Sequence, residues 1–359
     1  MTELHVPPLL TADLPGVGGR IGPELEHFVV SELPLYAASG EGDHWYVYVE
    51  KRGLTTQDLV MALARASGAR ASDIGSAGMK DKQGVTRQWL SVPTQAAAPD
   101  TWQLPESLRV LEVSRHKNKL RTGHLRANRF RITLVDVPEN AAELAEPLVQ
   151  RLRERGLPNY FGPQRFGRQG RSFEQALAWV KQTEDGRPSA EGARGKKRGP
   201  KARFENKLLP SVLQSDVFNR YLTARLARPE PLLLGEVVRL EGSAKVFTVE
   251  DPDKELPRLE QGDIHLTGPM VGPRTVHAAE EAGRLEDAAF GELGLGEAEQ
   301  RRLADAAPGT RRDLFVRPEE ITVEPAGPGE LVLSFVLPAG SFATQLLREL
   351  TRSPWLEPR

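Results

Sequence analysis

Cysteine is absent from this sequence of 359 residues. Its absence excludes disulfide bonds, thiolate metal sites and a cysteine nucleophile. Histidine is scarce as well: the seven histidines are scattered, with no helical pair and no acidic partner at the spacing of a zinc site, so no bound metal is expected. A chain of this length can still bury a substantial core without cross-links, and its length suits two domains.

Long apolar runs are also missing, and no stretch of 18 apolar residues is available to span a bilayer. The first 16 residues contain two acids and lack the basic, apolar and small-residue order of a signal peptide. We therefore expect a soluble, cytoplasmic protein without membrane contact.

Charge of either sign is balanced overall, with 48 basic and 49 acidic residues, but it is unevenly distributed. The run Arg115–Arg131 holds seven Lys or Arg and no acid, and Arg194–Lys207 holds seven more against the single Glu205. One such run is usually a solvated loop. Two runs, one of them interleaved with Asn128 and Phe130, favour an anionic polymer as partner.

The chain alternates predicted strands and helices. His44–Glu50 has the apolar alternation of a half-buried strand, and a helix is predicted over Thr56–Ser67, with a hydroxyl cap at its start and Gly68 as its stop. Thr183–Arg203 offers little to bury and is predicted to be mobile. Further strands are predicted over 87–93, 129–137 and 331–337, and further helices over 138–155, 211–227 and 341–350.

The segment from Gly78 to Trp89 carries the sharpest local signal for chemistry. Gly78 and Gly84 bracket a short charged loop with Asp81 at its centre. The flanking lysines favour an ionised carboxylate, which can act as a nucleophile or a general base. Spacing alone favours an ordinary turn. The loop lacks the G-x-x-x-x-G-K-[ST] pattern, so a nucleoside triphosphatase is rejected and no nucleotide cofactor is expected.

The run SAGMKDKQGVTRQW (76–89) resembles the signature of TruD-type pseudouridine synthases, which has a glycine, Lys-Asp and then Thr-x-Gln before a strand. Other blocks resemble that family in the expected order, so the resemblance covers nearly the whole chain. They are PELEHFVVSELP (23–34), GDHWYVYVEKRGLTT (42–56), GHLRANRFRI (123–132), NYFGPQRFGRQG (159–170) and LPAGSFATQLLREL (337–350).

The resemblance implies an α+β protein with the pseudouridine synthase fold, built on a mainly antiparallel central sheet, plus an inserted α/β domain. The catalytic domain would comprise residues 1–156 and 313–359, and the inserted TRUD domain residues 157–312. The implied activity is isomerisation of uridine to pseudouridine in tRNA, at position 13 in the D-arm region, with tRNA in a basic cleft between the domains. That reaction needs no metal, redox agent or other cofactor. The sequence does not set the oligomeric state, and we expect a monomer.

Site residues follow from the same resemblance. Asp81 would be the catalytic aspartate, with Arg20 as its basic partner. Asn128 would position the aspartate or the uridine, and Phe130 would stack on the target base. Periodicity alone would assign the phenylalanines to core packing, and the 159–170 block could equally be a hinge between domains. The remaining implied roles are lining of the pocket by Phe28 and Phe342, substrate binding by Lys80, and RNA binding by Arg126, Arg129, Arg165 and Arg168.

Two other classes of protein are compatible with parts of this pattern. A non-catalytic protein that binds or folds tRNA would have no reason to keep both Lys80-Asp81 and Asn128-x-Phe130. A hydrolase of glycosidic bonds normally uses a pair of carboxylates, whereas this sequence offers one well-marked aspartate. The sequence therefore favours the isomerase, and replacing Asp81 with asparagine distinguishes it from the binding protein.

Overall fold

A computed structural model describes residues 3–181 and 200–355 of the chain. The helices described there are α1 (Thr56–Ser67), α2 (Ala141–Arg155), α3 (Pro163–Phe166), α4 (Arg171–Lys181), α5 (Pro200–Leu226), α6 (Pro252–Gln261), α7 (Glu280–Gly291), α8 (Glu297–Ala306) and α9 (Ala343–Thr351). The strands are β1 (Arg20–Ile21), β2 (Phe28–Pro34), β3 (His44–Arg52), β4 (Gly75–Ser76), β5 (Val85–Pro93), β6 (Leu108–His116), β7 (Leu125–Val135), β8 (Leu157–Pro158), β9 (Val237–Leu240), β10 (Val246–Thr248), β11 (Ile264–Met270), β12 (Thr310–Asp313), β13 (Phe315–Val316), β14 (Glu319–Gly327) and β15 (Glu330–Pro338). None of these helices combines the length and the apolar character that a membrane crossing demands.

The largest sheet has the strand order β14-β15-β7-β2-β5-β3-β6, with β1 added beside β7 and β4 beside β5. Its pairs are antiparallel except for β2 and β5, which run parallel. This arrangement confirms the predicted α+β class with a mainly antiparallel central sheet.

Helices cover this sheet in two groups. Leu59 and Leu63 of α1 pack with Val47 and Val49 of β3, whereas α2 and α9 pack over β7 and β15 around Ile132. Strand β2 lies between β7 and β5, so it separates the two groups of strands. The candidate site residues described below lie on and beside β2.

A second core surrounds α5, where Phe218 and Tyr221 are fully buried. Strands β10, β9, β11 and β12 form a separate antiparallel sheet in this part of the chain. Strands β8 and β13 form a short antiparallel pair in which Leu157 lies opposite Val316. The two points at which the chain passes between the larger sheet and this second part are therefore adjacent. The predicted domain boundaries, between 156 and 157 and between 312 and 313, lie next to this pair.

Local sequence signals predicted several elements correctly. Helix α1 begins after Thr55, whose hydroxyl accepts a hydrogen bond from the Asp58 amide, and ends at Gly68 in the left-handed conformation at φ 74°. The predicted helix over 138–155 begins later, at Ala141, and the one predicted over 211–227 begins earlier, at Pro200. Most of the segment predicted to be mobile, Thr183–Arg203, lies outside the described residues, and its last four residues belong to α5.

The N-terminal segment lies along the C-terminal helix. The Leu10 and Thr11 amides donate to the buried carboxylate of Glu349 at 2.9 and 3.0 Å, and the Val17 amide donates to the Leu350 carbonyl at 2.8 Å. Residues distant in sequence by more than 300 positions therefore complete one part of the fold.

Candidate active site

The loop that carries Asp81 connects β4 to β5 and passes directly against β2. Gly84 adopts φ 149°, and a Cβ atom at this position would lie only 2.4 Å from the Phe28 carbonyl oxygen. The Gly53 amide donates to the Gly84 carbonyl at 3.2 Å on the other side. A glycine is therefore required for the loop to approach both neighbouring strands this closely.

Two buried polar side chains hold the loop through its backbone. The Lys80 amide donates to the Thr56 hydroxyl at 2.8 Å, and that hydroxyl donates to Gln88 Oε1 at 3.0 Å. The Lys51 ammonium donates to the Asp81 carbonyl at 2.8 Å. The backbone on both sides of the Lys80–Asp81 peptide is thus fixed to elements of the sheet and to α1.

A third contact is a buried ion pair between the loop and β2. Lys80 Nζ lies 2.5 Å from Glu32 Oε1, and the two side chains are 6% and 1% exposed. The other Glu32 oxygen accepts a hydrogen bond from the Trp89 amide at 2.9 Å. Burial raises the pKa of Glu32 despite the opposing attraction of Lys80. The lysine predicted to bind substrate is therefore engaged with Glu32.

The Asp81 carboxylate, unlike the side chain of Lys80, is not held by a contact within the described residues. Asp81 is exposed at the tip of the loop, and its carboxylate makes no hydrogen bond or ion pair with any residue in 3–181 or 200–355. Its charge acts on the buried Lys51 through space. The carboxylate is available to an incoming ligand while its backbone is held.

The predicted aromatic residues divide between two places. Phe28 and Phe130 lie edge to face with centroids 6.3 Å apart, and Phe130 stacks on Phe335 at 5.1 Å. Phe28, on β2, and Phe130, on the neighbouring β7, are buried, at 5% and 7% exposure. Phe342 instead lies 6.0 Å from the Phe161 ring. The structure brings Phe28 and Phe130 together and places Phe342 against a different aromatic cluster.

Asn128 lies on β7 beside the loop-holding residues of β2. It is the Cα partner of Glu32 on one side and of Leu337 on the other. Its Oδ1 atom is buried and accepts no hydrogen bond from the part of the chain that the structure describes. Buried acceptors are usually hydrogen-bonded, so this oxygen is open to a hydrogen bond from a bound molecule.

Arg20 lies at an exposed position on β1. Its guanidinium forms an exposed ion pair with Asp136 at 2.9 Å, and Arg20 pairs with Val135 at the opposite end of β7 from Asn128. The structure therefore gives Arg20 a carboxylate partner other than the predicted one.

The predicted RNA-binding arginines have different surroundings. Arg126 and Arg129 form exposed ion pairs with Glu319 and Glu320, at 3.5 and 2.9 Å. Such surface pairs contribute little stability and leave the cations open to competition from phosphates. Arg165 is half-buried and donates to the Ser215 hydroxyl at 3.1 Å, and the side chain of Arg168 lies outside the described part.

Arg312 links the 159–170 block to the loop before α9, and the sequence did not single it out. Its guanidinium lies 4.2 Å from the Phe161 ring centroid and donates to the Asn159 and Gly340 carbonyls, both at 3.2 Å. Burial lowers its pKa to about 10. Arg312 belongs to no block that resembles the family, so no signal indicated it.

Glu32, Lys51 and Thr56 do lie within such blocks, yet sequence reasoning assigned them no role. The alternation of β3 was the available signal for Lys51, because Val47, Val49 and Lys51 share the buried face. Among residues 3–181 and 200–355, no three His, Cys, Asp or Glu side chains are grouped to hold a metal ion.

Comparison with known proteins gives consistent matches along the chain. The model of the family "tRNA pseudouridine synthase D (TruD)" matches residues 8–181 and 206–350. A tRNA pseudouridine synthase D from Anaeromyxobacter dehalogenans (strain 2CP-C) is 43% identical over 356 residues, covering 98% of both chains. One from Thermus thermophilus is 40% identical over 350 residues, covering 96% of this chain and 92% of the relative.

The fold is similar to a solved structure as well. A crystal structure of a Methanosarcina mazei protein described as a putative tRNA pseudouridine synthase D (TruD) superposes with a TM-score of 0.73 at 25% identity. The alignment covers 96% of each chain, so the similarity extends over both cores.

Proposed function

The chain belongs to the tRNA pseudouridine synthase D (TruD) family, and on that premise we propose that it isomerises a uridine of tRNA to pseudouridine with Asp81 as the catalytic aspartate. The observation that carries this proposal is the contrast within one loop. The Asp81 backbone is hydrogen-bonded to buried Lys51, whereas its exposed carboxylate has no partner in the described residues. A catalytic group needs such a fixed position together with a free reactive end.

The chemistry of the reaction fits a carboxylate at this position. Pseudouridine formation breaks the bond between N1 of uracil and C1′ of ribose, rotates the base and joins its C5 to C1′, and the hydrogen at C5 leaves as a proton. An ionised carboxylate beside the ribose can serve as nucleophile or as general base in these steps.

We propose that the target uridine is turned out of the RNA and held near Asn128, Phe28 and Phe130. Extruding a base costs a few kcal/mol, and stacking on an aromatic ring returns roughly 1–3 kcal/mol. The free Oδ1 atom of Asn128 can accept a hydrogen bond from the uracil N3–H. Lys80 acts in this proposal through Glu32, as a positioning residue, and Arg20, which pairs with Asp136 at an exposed site, stays the proposed basic partner of Asp81.

The RNA itself would bind through exposed cations. Arg126 and Arg129 lie on the strand that carries Asn128, so phosphates held there would lie close to the site. We further propose that residues 157–312 form the inserted domain, that tRNA lies between it and the remainder, and that the protein acts as a monomer in the cytoplasm. The side chains of residues 182–207 lie outside the described set and have no part in this argument.

We propose uridine 13 of tRNA as the target, and tritium release tests this directly. A tRNA transcript labelled with tritium at C5 of uracil loses one tritium for each uridine isomerised. The wild-type protein is expected to release tritium from the normal transcript and none from a transcript with cytidine at position 13. Release from both transcripts would show that position 13 is not the sole target. Binding without release from either would favour a non-catalytic tRNA-binding protein.

Asn128→Leu is expected to lower the turnover number about 10-fold while leaving the folded state intact. Leucine has a similar size, and Asn128 Oδ1 accepts no hydrogen bond within the described residues, so little folding energy is lost. A lost hydrogen bond to substrate costs about 1.4 kcal/mol, which is tenfold in rate. Single-turnover tritium release and thermal unfolding would measure the two effects.

The matched control is Asn140→Leu, because Asn140 is exposed and its side chain makes no capping hydrogen bond to α2. It is expected to leave turnover unchanged. Equal activity of Asn128→Leu and wild type would remove Asn128 from the proposed site.

A further inference from the structure

Lys51 is a lysine in an unusual environment. It occupies the last inward-facing position of β3, after Val47 and Val49, and its side chain has 0% exposure. Lysine is among the residue types least often fully buried, because removing an ammonium group from water costs several kcal/mol. An apolar residue would fill this place at lower cost, so the lysine needs an explanation.

The Lys51 ammonium has no carboxylate in hydrogen-bond contact among the described residues. It donates to two backbone carbonyls, that of Leu54 at 2.5 Å and that of Asp81 at 2.8 Å. Leu54 lies in the turn that leads into α1. The ammonium therefore joins the base of that turn to the backbone of the residue proposed as catalytic.

The charges around Lys51 explain the state of its ammonium. Burial lowers the pKa of Lys51 to about 8, opposed by attraction to Asp81 and Asp58 and assisted by repulsion from Lys80. At neutral pH the group is mainly charged, so both hydrogen bonds are charge-assisted and stronger than neutral ones.

We infer that Lys51 is a positioning residue for the reaction, which fixes the backbone of Asp81 from beneath the loop and supplies a buried positive charge under its carboxylate. Lys51 is buried and touches no substrate. This inference rests on the proposed role of Asp81. A displacement of about 1 Å in a catalytic group can cost about 100-fold in rate, so losing this contact should lower the turnover number far more than RNA affinity.

The absence of cysteine from the sequence permits a test by chemical replacement. Lys51→Cys would carry the chain's single thiol, which can be alkylated in denaturant before refolding. With 2-bromoethylamine the thiolate displaces bromide and yields an aminoethyl side chain of lysine length, whereas bromoethane yields a similar side chain without the amine. Refolded wild type, treated with each reagent, controls for the procedure.

The ethyl form is expected to bind tRNA within about twofold of wild type and to release tritium about 100-fold more slowly. The aminoethyl form is expected to recover to within a few-fold of wild type. Lys254→Cys, at an exposed position on α6, provides a matched control in which both alkylated forms stay fully active. Equal turnover of the ethyl and aminoethyl forms at position 51 would overturn the inference.

A second measurement, the pH profile of activity, does not require the ethyl form to refold. The aminoethyl amine has a lower pKa than that of lysine, so loss of activity at alkaline pH should begin at lower pH in the aminoethyl form than in refolded wild type. Ionisation of the uracil is the same in both and cancels. Superimposable pH profiles would show that the Lys51 charge does not serve the reaction. No release by wild type itself would reject the proposed function instead.

Discussion

Asp81→Asn is expected to abolish tritium release, with a loss of about 10⁴-fold or more in single turnover. Asparagine keeps the size of the side chain but cannot act as a nucleophile or take up a proton at neutral pH. Because the Asp81 carboxylate is exposed and has no hydrogen bond in the described residues, the substitution removes only its through-space attraction to Lys51. Binding to tRNA and the midpoint of thermal unfolding should therefore stay near the wild-type values.

Asp73→Asn is the control for this experiment, because Asp73 is an exposed aspartate in the segment just before β4. It should release tritium at the wild-type rate. Activity of Asp81→Asn within tenfold of wild type would show that another group performs the chemistry. Loss of both activity and binding would assign Asp81 to recognition of the RNA.

Lys80→Met is expected to destabilise the protein by about 3–5 kcal/mol at neutral pH, because it leaves the buried Glu32 carboxylate without its cation. The loop that carries Asp81 loses its attachment to β2 in the same change. Denaturant unfolding would measure the loss of stability, and tritium release would measure the loss of turnover. The double variant Glu32→Gln with Lys80→Met removes the uncompensated charge and should recover most of the stability but not the turnover.

The pH dependence of this variant has a definite sign. Burial already raises the pKa of Glu32 above its ordinary value of 4.5, and removing Lys80 removes a group that lowers it. The folded variant then keeps a proton on Glu32 that the unfolded chain releases, so its stability falls as pH rises from about 4.5 through the raised pKa. The stability difference from wild type should be small near pH 4.5 and should grow toward pH 8. A difference independent of pH would exclude Glu32 as its source.

Local signals made part of this molecule predictable. Helix α1 carries its own start and stop in Thr55 and Gly68, and the alternating residues of β3 identify a strand without knowledge of its neighbours. The loop around Asp81 was also visible, because its glycines and lysines stand together in sequence. These features depend on residues within one turn or one strand.

The contacts that hold the site depend on distant pairing and were not predictable from periodicity. Lys80 meets Glu32 across 48 positions, and Lys51 meets Asp81 across 30. The first contact depends on β2 lying parallel to β5 and the second on β3 pairing with β5, and no local pattern specifies either arrangement. The sequence still offers one signal for such contacts, which is a charged residue at a strand position where the alternation predicts burial. Glu32 is such a residue, because it follows Phe28 and Val30 on the buried face of β2.

The order of strands in the sheet also determines how long β7 waits for its second partner during synthesis. Strand β7 is paired on one side by β2, which is synthesised earlier, and on the other by β15, which follows after about 200 residues. At about 5–20 residues per second, that interval lasts roughly 10–40 s. During this time β7 presents an open edge with Phe130, Ile132 and Leu134 on one face, the kind of surface that associates with other chains. We expect this strand to be the part of the nascent protein most in need of a chaperone, until β15 arrives and α9 docks on the N-terminal segment.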